Sequence, residues 1–279
     1  MIDLHCHSYF SDGTLSPQEL IKKAKQLQIR CLSLTDHDTV AGYPDLLTAA
    51  ASTSIRIING IELSTRWKKH DFHILGYQIK HTEHLFALIQ RQVQSRINRA
   101  KQIGEALEQF GVVDAYTKAC ALAGHERAAR PHFAQVLVNE SKARDQQSAF
   151  KQYLVRGRKA YIPTPWISVQ EAVEAIVANG GQAVIAHPLK YGLTRSKLHE
   201  LINEFKEAGG VGIEVVSGDM NVMEINEMAG VSLRFNLLAS SGSDFHSDAI
   251  SRTNLGAQKQ LPVNCVPIWQ EWNIEQGTL

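Results

Sequence analysis

Seven short runs of strand-forming residues recur along the chain, and most are separated by segments with helical periodicity. Several of the runs are apolar throughout, which is typical of strands that are buried on both faces of a sheet. Alternation of strands and helices favours a parallel α/β architecture. The predicted strands are Ile2–Leu4, Cys31–Thr35, Ile55–Leu63, Phe72–Gln78, Ala183–Ala186, Gly212–Val216 and Leu237–Ser241.

Two of the intervening segments carry recognisable helix start signals. Ser16, Pro17 and Glu19 combine an N-cap, a proline at the first helical position and a glutamate at the third, which together form a capping box. Ser168 and Glu171 repeat the pattern. The sequence therefore predicts a helix after each of these serines.

The middle of the chain interrupts the alternation, since residues 83–158 read as helices with no convincing strand. We therefore expect a barrel-forming domain made of 1–82 and 159–279, and a helical insertion over 83–158 that covers the substrate. Residues 85–165 carry a net charge of +7 and the remainder −6. That distribution suits bound cations beside an anionic substrate, although a solvated basic face would give the same charge count.

Composition places the chain among ordinary globular proteins, with 44% hydrophobic and 20% charged residues. The sequence contains no uninterrupted apolar span, so no transmembrane helix is expected. Chemically important residues begin at Asp3, which argues against a signal peptide. We expect a cytoplasmic protein. The four cysteines are scattered without a paired spacing, which favours free thiols over a thiolate zinc site or disulfides.

A pair of histidines near the start is the first indication of a metal site. If Ile2–His7 is a strand, His5 and His7 point to one face, because side chains two apart share a face. Asp12 follows in a turn and offers a carboxylate oxygen. Alone, such a short motif is weak evidence.

Further histidines and carboxylates cluster around the ends of the other predicted strands, where α/β barrels gather their catalytic groups. Singly, each is more readily explained as a structural residue, but their recurrence favours a common site. Imidazole with carboxylate and no thiolate suits manganese, zinc or iron. Nine candidates exceed the needs of one ion, so we expect two or three ions, with Glu62 as the bridge. The candidate ligands are His5, His7, Asp12, His37, Glu62, His73, His187, Asp244 and His246.

These motifs together resemble the PHP (polymerase and histidinol phosphatase) superfamily over nearly the whole chain. The similarity is greatest to a branch containing nucleoside 3′,5′-bisphosphate phosphatases and 5′-to-3′ exoribonucleases. It rests on an ordered set of stretches rather than on one motif. Those stretches are Asp3–Ser8 with Ser11–Thr14, Leu34–Thr39, Gly60–Glu62, Phe72–Gly76, Arg130–Ala134, Ala186–Pro188, Gly212–Ser217 and Gly242–His246.

The resemblance implies a distorted seven-stranded (β/α) barrel with a trinuclear metal site, manganese being the foremost candidate ion. It implies that His5, His7, Glu62 and Asp244 hold one ion. It further implies that Glu62, His73 and His187 hold a second, and that Asp12, His37 and His246 hold a third. His70 lies close to His73 in sequence, but the Phe72–Gly76 context favours His73 as the ligand.

The expected reaction is hydrolysis of nucleotide phosphate esters by an ion-activated water, without a side-chain nucleophile. The substrate would be a nucleoside 3′,5′-bisphosphate, a short single-stranded 5′-phosphorylated RNA, or both, and no protein partner is required. One alternative within the superfamily is histidinol-phosphate phosphatase or another small phosphomonoesterase. A non-catalytic metal-binding module is an alternative of another class.

Substrate contacts are predicted in the basic segment and after the His187 motif. Arg130 and His132 belong to the family-like Arg-Pro-His stretch, and paired guanidinium donors suit a phosphate. An imidazole such as His132 could act as the acid that protonates a leaving oxygen. The further candidates are Arg96, Arg99, Lys190 and Arg195. Each could equally be a surface charge or part of a helix salt bridge.

Overall fold

The computed structural model describes residues 1–249 and 251–272. The chain divides into two compact units, Met1–Leu88 with Ile167–Leu279, and Ile89–Trp166. Among the described residues, every helix falls short of the length and apolar character that crossing a bilayer requires.

The first unit contains a mixed sheet that curves into a nearly closed barrel. Seven strands follow one another in the order β1-β2-β3-β4-β6-β7-β8, and the short β5 pairs with β3. A parallel bridge between Cys6 and Phe245 connects the segments at the ends of β1 and β8. The barrel architecture implied by the sequence is confirmed. The strands are β1 (Ile2–Cys6), β2 (Cys31–Leu34), β3 (Arg56–Trp67), β4 (His70–Tyr77), β5 (Ile167–Ser168), β6 (Gln182–Ile185), β7 (Gly212–Ser217) and β8 (Leu238–Gly242).

One strand departs from the parallel arrangement that the alternation favours. β4 is antiparallel to both of its neighbours, β3 and β6. It follows β3 through a tight turn in which Lys68 has a φ of +52°. The reversal brings the beginning of β4 to the barrel edge where the parallel strands end, so Ser64 of β3 pairs with His73.

Helices follow most strands, and their beginnings match the capping chemistry in the sequence. Ser16 and Glu19 form a reciprocal capping box at α1, and the Ser168 side chain accepts a hydrogen bond from the Glu171 amide at α7. The helices are α1 (Pro17–Gln26), α2 (Tyr43–Ala50), α3 (Glu83–Glu108), α4 (Ala115–Ala123), α5 (Arg130–Asn139), α6 (Gln146–Ala149), α7 (Val169–Ala178), α8 (Arg195–Glu207) and α9 (Val222–Phe235).

The second unit is helical and has a hydrophobic core of its own. Leu107, Phe133, Leu137 and Leu154 are fully buried in it. Full burial of such a side chain contributes about 1.5–3 kcal/mol relative to exposure. The described residues between β4 and β5 contain no strand, as the sequence predicts. The assignment of 83–158 as a capping domain stays a prediction.

Gly242, the last residue of β8, allows this strand to approach β1 very closely. A Cβ atom placed on Gly242 would lie 2.3 Å from the Cβ and 2.8 Å from the backbone nitrogen of His5. Since both strands end at this edge, the contact helps to determine where the His5 ring lies.

Candidate metal centre

All nine predicted ligands meet at one edge of the barrel. His5 and Glu62 lie in β1 and β3, His73 lies near the start of the reversed β4, and the others lie in segments that follow strands. Their ligand atoms form four overlapping groups, and within each group the ligand atoms lie within 4.8 Å of one another. The groups are His7, Asp12, His37 and His246; His5, His7 and Asp244; His5, Glu62 and His187; and His37, Glu62 and His73.

Glu62 lies at the centre of this arrangement and is fully buried. Its Oε1 is 2.9 Å from His73 Nδ1 and 3.0 Å from His187 Nε2. Its Oε2 lies 3.1–3.2 Å from ring nitrogens of His5, His7 and His37. One carboxylate is therefore in reach of five imidazoles.

The two aspartates complete the cluster on either side of His246. Asp244 Oδ1 lies 3.3 Å from His7 Nε2 and 3.4 Å from His5 Nε2. Asp12 Oδ1 lies 3.3 Å from His246 Nε2 and 3.8 Å from His37 Nε2. The two aspartates thus contact different subsets of the rings.

Several of these atoms approach one another without forming hydrogen bonds. Glu62 Oε2, Asp12 Oδ1, His37 Nδ1 and His73 Nδ1 are buried and lack a hydrogen-bond partner among the described residues. Buried polar atoms normally have a hydrogen-bond partner. The convergence of these unpartnered acceptor atoms is therefore typical of a site that binds a cation. Imidazole nitrogens with carboxylate oxygens fit divalent metal ions.

Electrostatic interactions within the cluster keep its carboxylates ionised. Burial opposes ionisation of Glu62, but the surrounding histidines, His37 and His73 foremost, hold the pKa of this carboxyl well below its usual range. Burial alone would lower the pKa of His7, but Asp244 and Glu62 raise it to about 10. The carboxylates therefore offer anionic oxygens to a cation.

Two candidate ligands have unusual backbone conformations. His187 has a φ of +28° and Asp244 a φ of +54°. Residues other than glycine rarely adopt positive φ, and such strained positions cluster at functional sites. Both residues contribute ligand atoms to the cluster.

Two buried acids lie behind the ligands, and neither was predicted from the sequence to be a functional residue. Glu214 Oε1 is 2.9 Å from His5 Nδ1, and Glu214 Oε2 accepts a hydrogen bond from the His187 backbone nitrogen. Asp36 accepts hydrogen bonds from the hydroxyls of Ser8 and Ser11 at 2.6 Å. The sequence feature that could have indicated a role for Glu214 is its position as a carboxylate within the largely apolar β7.

Of the predicted substrate contacts in the first unit, Lys190 lies at the cluster and Arg195 does not. The Lys190 ammonium pairs with Asp244 Oδ2, and 55% of the lysine side chain remains exposed. Arg195 lines a separate cavity of about 260 Å³ between α8 and α9, with His199 and Arg234. His70 belongs to none of the four ligand groups.

The other predicted contacts, Arg96, Arg99, Arg130 and His132, lie in the helical unit. The guanidinium carbons of Arg96 and Arg99 lie 5.1 and 5.7 Å from the Trp166 ring, in cation–π geometry. Arg130 is the first residue of α5. His132 Nδ1 accepts a hydrogen bond from the Ala129 amide at 3.0 Å. A neutral His132 ring therefore carries its proton on Nε2 and can act there as a donor.

Comparison with known proteins places the chain in a family. The PHP domain model matches residues 3–215. The chain is 39% identical over 272 residues to the 3′,5′-nucleoside bisphosphate phosphatase of Chromobacterium violaceum, covering 97% of this chain and 95% of the relative. It is also 39% identical to a 5′-3′ exoribonuclease of Haemophilus influenzae, covering 97% and 98%.

A solved structure supports the same assignment. It is described as an amidohydrolase from Chromobacterium violaceum with bound sulfate and no metal. Its TM-score is 0.92 at 39% identity, with 97% of this chain and 95% of the other covered. The barrel, the clustered ligands and these similarities agree, and the chain belongs to the PHP domain family.

Proposed function

We propose that the chain is a divalent-metal-dependent phosphoesterase that hydrolyses phosphate esters of nucleotides. Its substrates would be the 3′-phosphate of nucleoside 3′,5′-bisphosphates, the backbone of short 5′-phosphorylated RNA, or both. The observation that carries the proposal is the buried Glu62 carboxylate within 3.2 Å of five imidazoles.

The relatives support both the reaction class and the substrate class. A phosphatase and an exoribonuclease both hydrolyse phosphoester bonds, and each matches this chain at 39% identity over nearly its full length. The bound sulfate in the similar solved structure has the tetrahedral shape of a phosphoryl group.

The nine ligands would hold three ions, for which we propose manganese, and Glu62 would be their shared ligand. Ions in such a site lower the pKa of bound water, orient the substrate and stabilise charge on the leaving oxygen. The contribution of the protein is to fix the ligands in a mostly buried, anionic pocket. His37 supports this role, because burial holds its pKa well below the usual range and leaves a lone pair available.

Positive groups are proposed to bind the substrate phosphates. Lys190 lies at the cluster beside Asp244, where its partly exposed ammonium would donate to a phosphate oxygen. Arg130 and the Nε2 donor of His132 are proposed to bind a second phosphate, with Arg96 and Arg99 as further cationic groups. The cytoplasm is the proposed location.

Replacement of Lys190 by methionine is expected to raise KM for phosphate monoesters roughly tenfold to a hundredfold. A hydrogen bond to a charged group contributes about 1.5–3 kcal/mol, and methionine keeps the length of the chain without the ammonium. Steady-state kinetics of manganese-loaded protein measure the effect. Lys197→Met, an exposed position in the first turn of α8, is the matched control, and equal KM values for the two variants would contradict the role of Lys190.

A substrate panel tests the proposed function. Manganese-loaded protein is assayed with adenosine 3′,5′-bisphosphate, a 5′-phosphorylated oligoribonucleotide and histidinol phosphate. We expect phosphate or nucleotide release from at least one of the first two substrates, and slower turnover of the third. Preference for histidinol phosphate would assign the chain to the small-phosphomonoester branch, and tight metal binding without any turnover would indicate a non-catalytic module.

A further inference from the structure

We propose that Glu214 is a positioning residue that sets the ion-binding orientation of His5 and His187 by accepting one hydrogen bond from each. This inference rests on the proposed metal centre. It assigns a role to a residue that belongs to none of the ligand groups.

Glu214 lies within β7 and is fully buried. Its two oxygens contact two different parts of the barrel. Oε1 is 2.9 Å from Nδ1 of His5 in β1, and Oε2 accepts a hydrogen bond of 2.6 Å from the backbone nitrogen of His187, which follows β6. One side chain therefore connects ligands from two strands that are not neighbours in the sheet.

The contact to His5 determines which ring nitrogen faces the cluster. When Nδ1 donates its proton to Glu214, the lone pair of a neutral ring is on Nε2. His5 Nε2 lies 3.2 Å from Glu62 Oε2 and 3.4 Å from Asp244 Oδ1. The orientation set by Glu214 is thus the one that presents a lone pair beside both carboxylates.

The contact to His187 acts through the backbone. With φ +28° and ψ +60°, His187 lies outside the favoured regions of an L-residue. Its Nε2 is 3.0 Å from Glu62 Oε1 in this conformation. The charge-assisted bond from its amide to Glu214 offsets part of the strain that this position requires.

Only a carboxylate can serve both contacts. Glutamate offers two acceptor oxygens, whereas glutamine has nearly the same shape but offers one acceptor and one donor group. Glu214→Gln must therefore place its amide NH₂ against either the His187 N–H or the His5 Nδ1–H. If the NH₂ faces His5, the His5 ring must rotate or its proton must move from Nδ1 to Nε2, and either change removes the Nε2 lone pair from the cluster. If the NH₂ faces His187, the hydrogen bond from the His187 amide is lost instead.

The test compares wild type, Glu214→Gln and the control Glu227→Gln, an exposed residue of α9. Zinc binding is measured by calorimetry, and the histidine tautomers of zinc-loaded, ¹⁵N-histidine-labelled protein are measured by long-range ¹H–¹⁵N NMR. In wild type and control, we expect His5 to show zinc bound through Nε2 and a proton on Nδ1. In Glu214→Gln, we expect roughly 10–100-fold weaker binding of one ion, as is typical when a residue behind a metal ligand is lost, and an altered His5 signal.

Three results would overturn the proposal. The first is unchanged zinc affinity in Glu214→Gln, and the second is equal weakening of every ion with an unaltered His5 signal, which would reflect lost charge alone. The third is a zinc-loaded wild type with the His5 proton on Nε2, and this measurement stands even if the variant fails to fold. If no histidine responded to zinc, the metal centre itself would be rejected, which is a distinguishable failure.

Discussion

Glu62→Gln is expected to reduce kcat at least about a thousandfold. The Glu62 carboxylate lies within reach of five rings. Glutamine would be a poor shared ligand, because its amide has one uncharged acceptor oxygen and a donor NH₂ group. Ions in such a site supply several kcal/mol of transition-state stabilisation, and each 1.36 kcal/mol is about tenfold in rate.

Kinetics with adenosine 3′,5′-bisphosphate and elemental analysis of the purified variant measure this effect together. Bound metal should fall with the rate, because both depend on the same carboxylate. Glu105→Gln, at an exposed position of α3, should retain wild-type activity. A Glu62→Gln protein with full metal content and activity within tenfold of wild type would refute the bridging role.

Gly242→Ala is expected to destabilise the fold by about 1–3 kcal/mol or more, the range for overpacked sites. The new Cβ would lie 2.3 Å from His5 Cβ and 2.8 Å from His5 N, so backbone atoms rather than a flexible side-chain end must move. Because His5 is a proposed ligand, metal affinity should fall as well. Thermal or denaturant unfolding of metal-free protein measures the stability change.

Gly230→Ala is the matched control, with the opposite sign. Gly230 lies inside α9, and a Cβ there would meet no atom within 4 Å. Alanine is preferred over glycine in a helix interior by about 0.5–1 kcal/mol, so this variant should be slightly more stable than wild type. If the two variants unfolded at the same midpoint, the close approach of β8 to β1 would be wrong.

Much of the barrel follows from local patterns in the sequence. The apolar runs of β6 and β7 and the caps at Ser16 and Ser168 are determined by nearby residues, so they can be identified without the fold. The reversal of β4 cannot be identified from the sequence, because the residue pattern of a strand is the same in either direction. The turn before β4 contains Lys68 at positive φ, where hairpins more often have glycine or asparagine.

The proposed ligands could be found in sequence because most stand near a strand end and each belongs to a recognisable motif, although Glu62 lies in the middle of β3. The order of strands then brings them together, and the reversal of β4 explains why His73 reaches the cluster from the start of its strand. The role proposed for Glu214 could not be predicted from the sequence, because it depends on contacts with His5 and His187. These residues lie 209 and 27 positions away from Glu214 in the sequence. Lys190 could be proposed for a phosphate, but its pairing with Asp244 is visible only in the structure.

We propose that nine side chains at one edge of the barrel hold a cluster of divalent ions. Diffraction from manganese-soaked crystals, with data collected for the anomalous signal of manganese, tests this metal centre. We expect three anomalous peaks with Glu62 shared between them, lying among His5, His7, Asp12, His37, Glu62, His73, His187, Asp244 and His246. Fully soaked crystals with no peak at this edge of the barrel, or with the histidine rings turned away from one another, would contradict it.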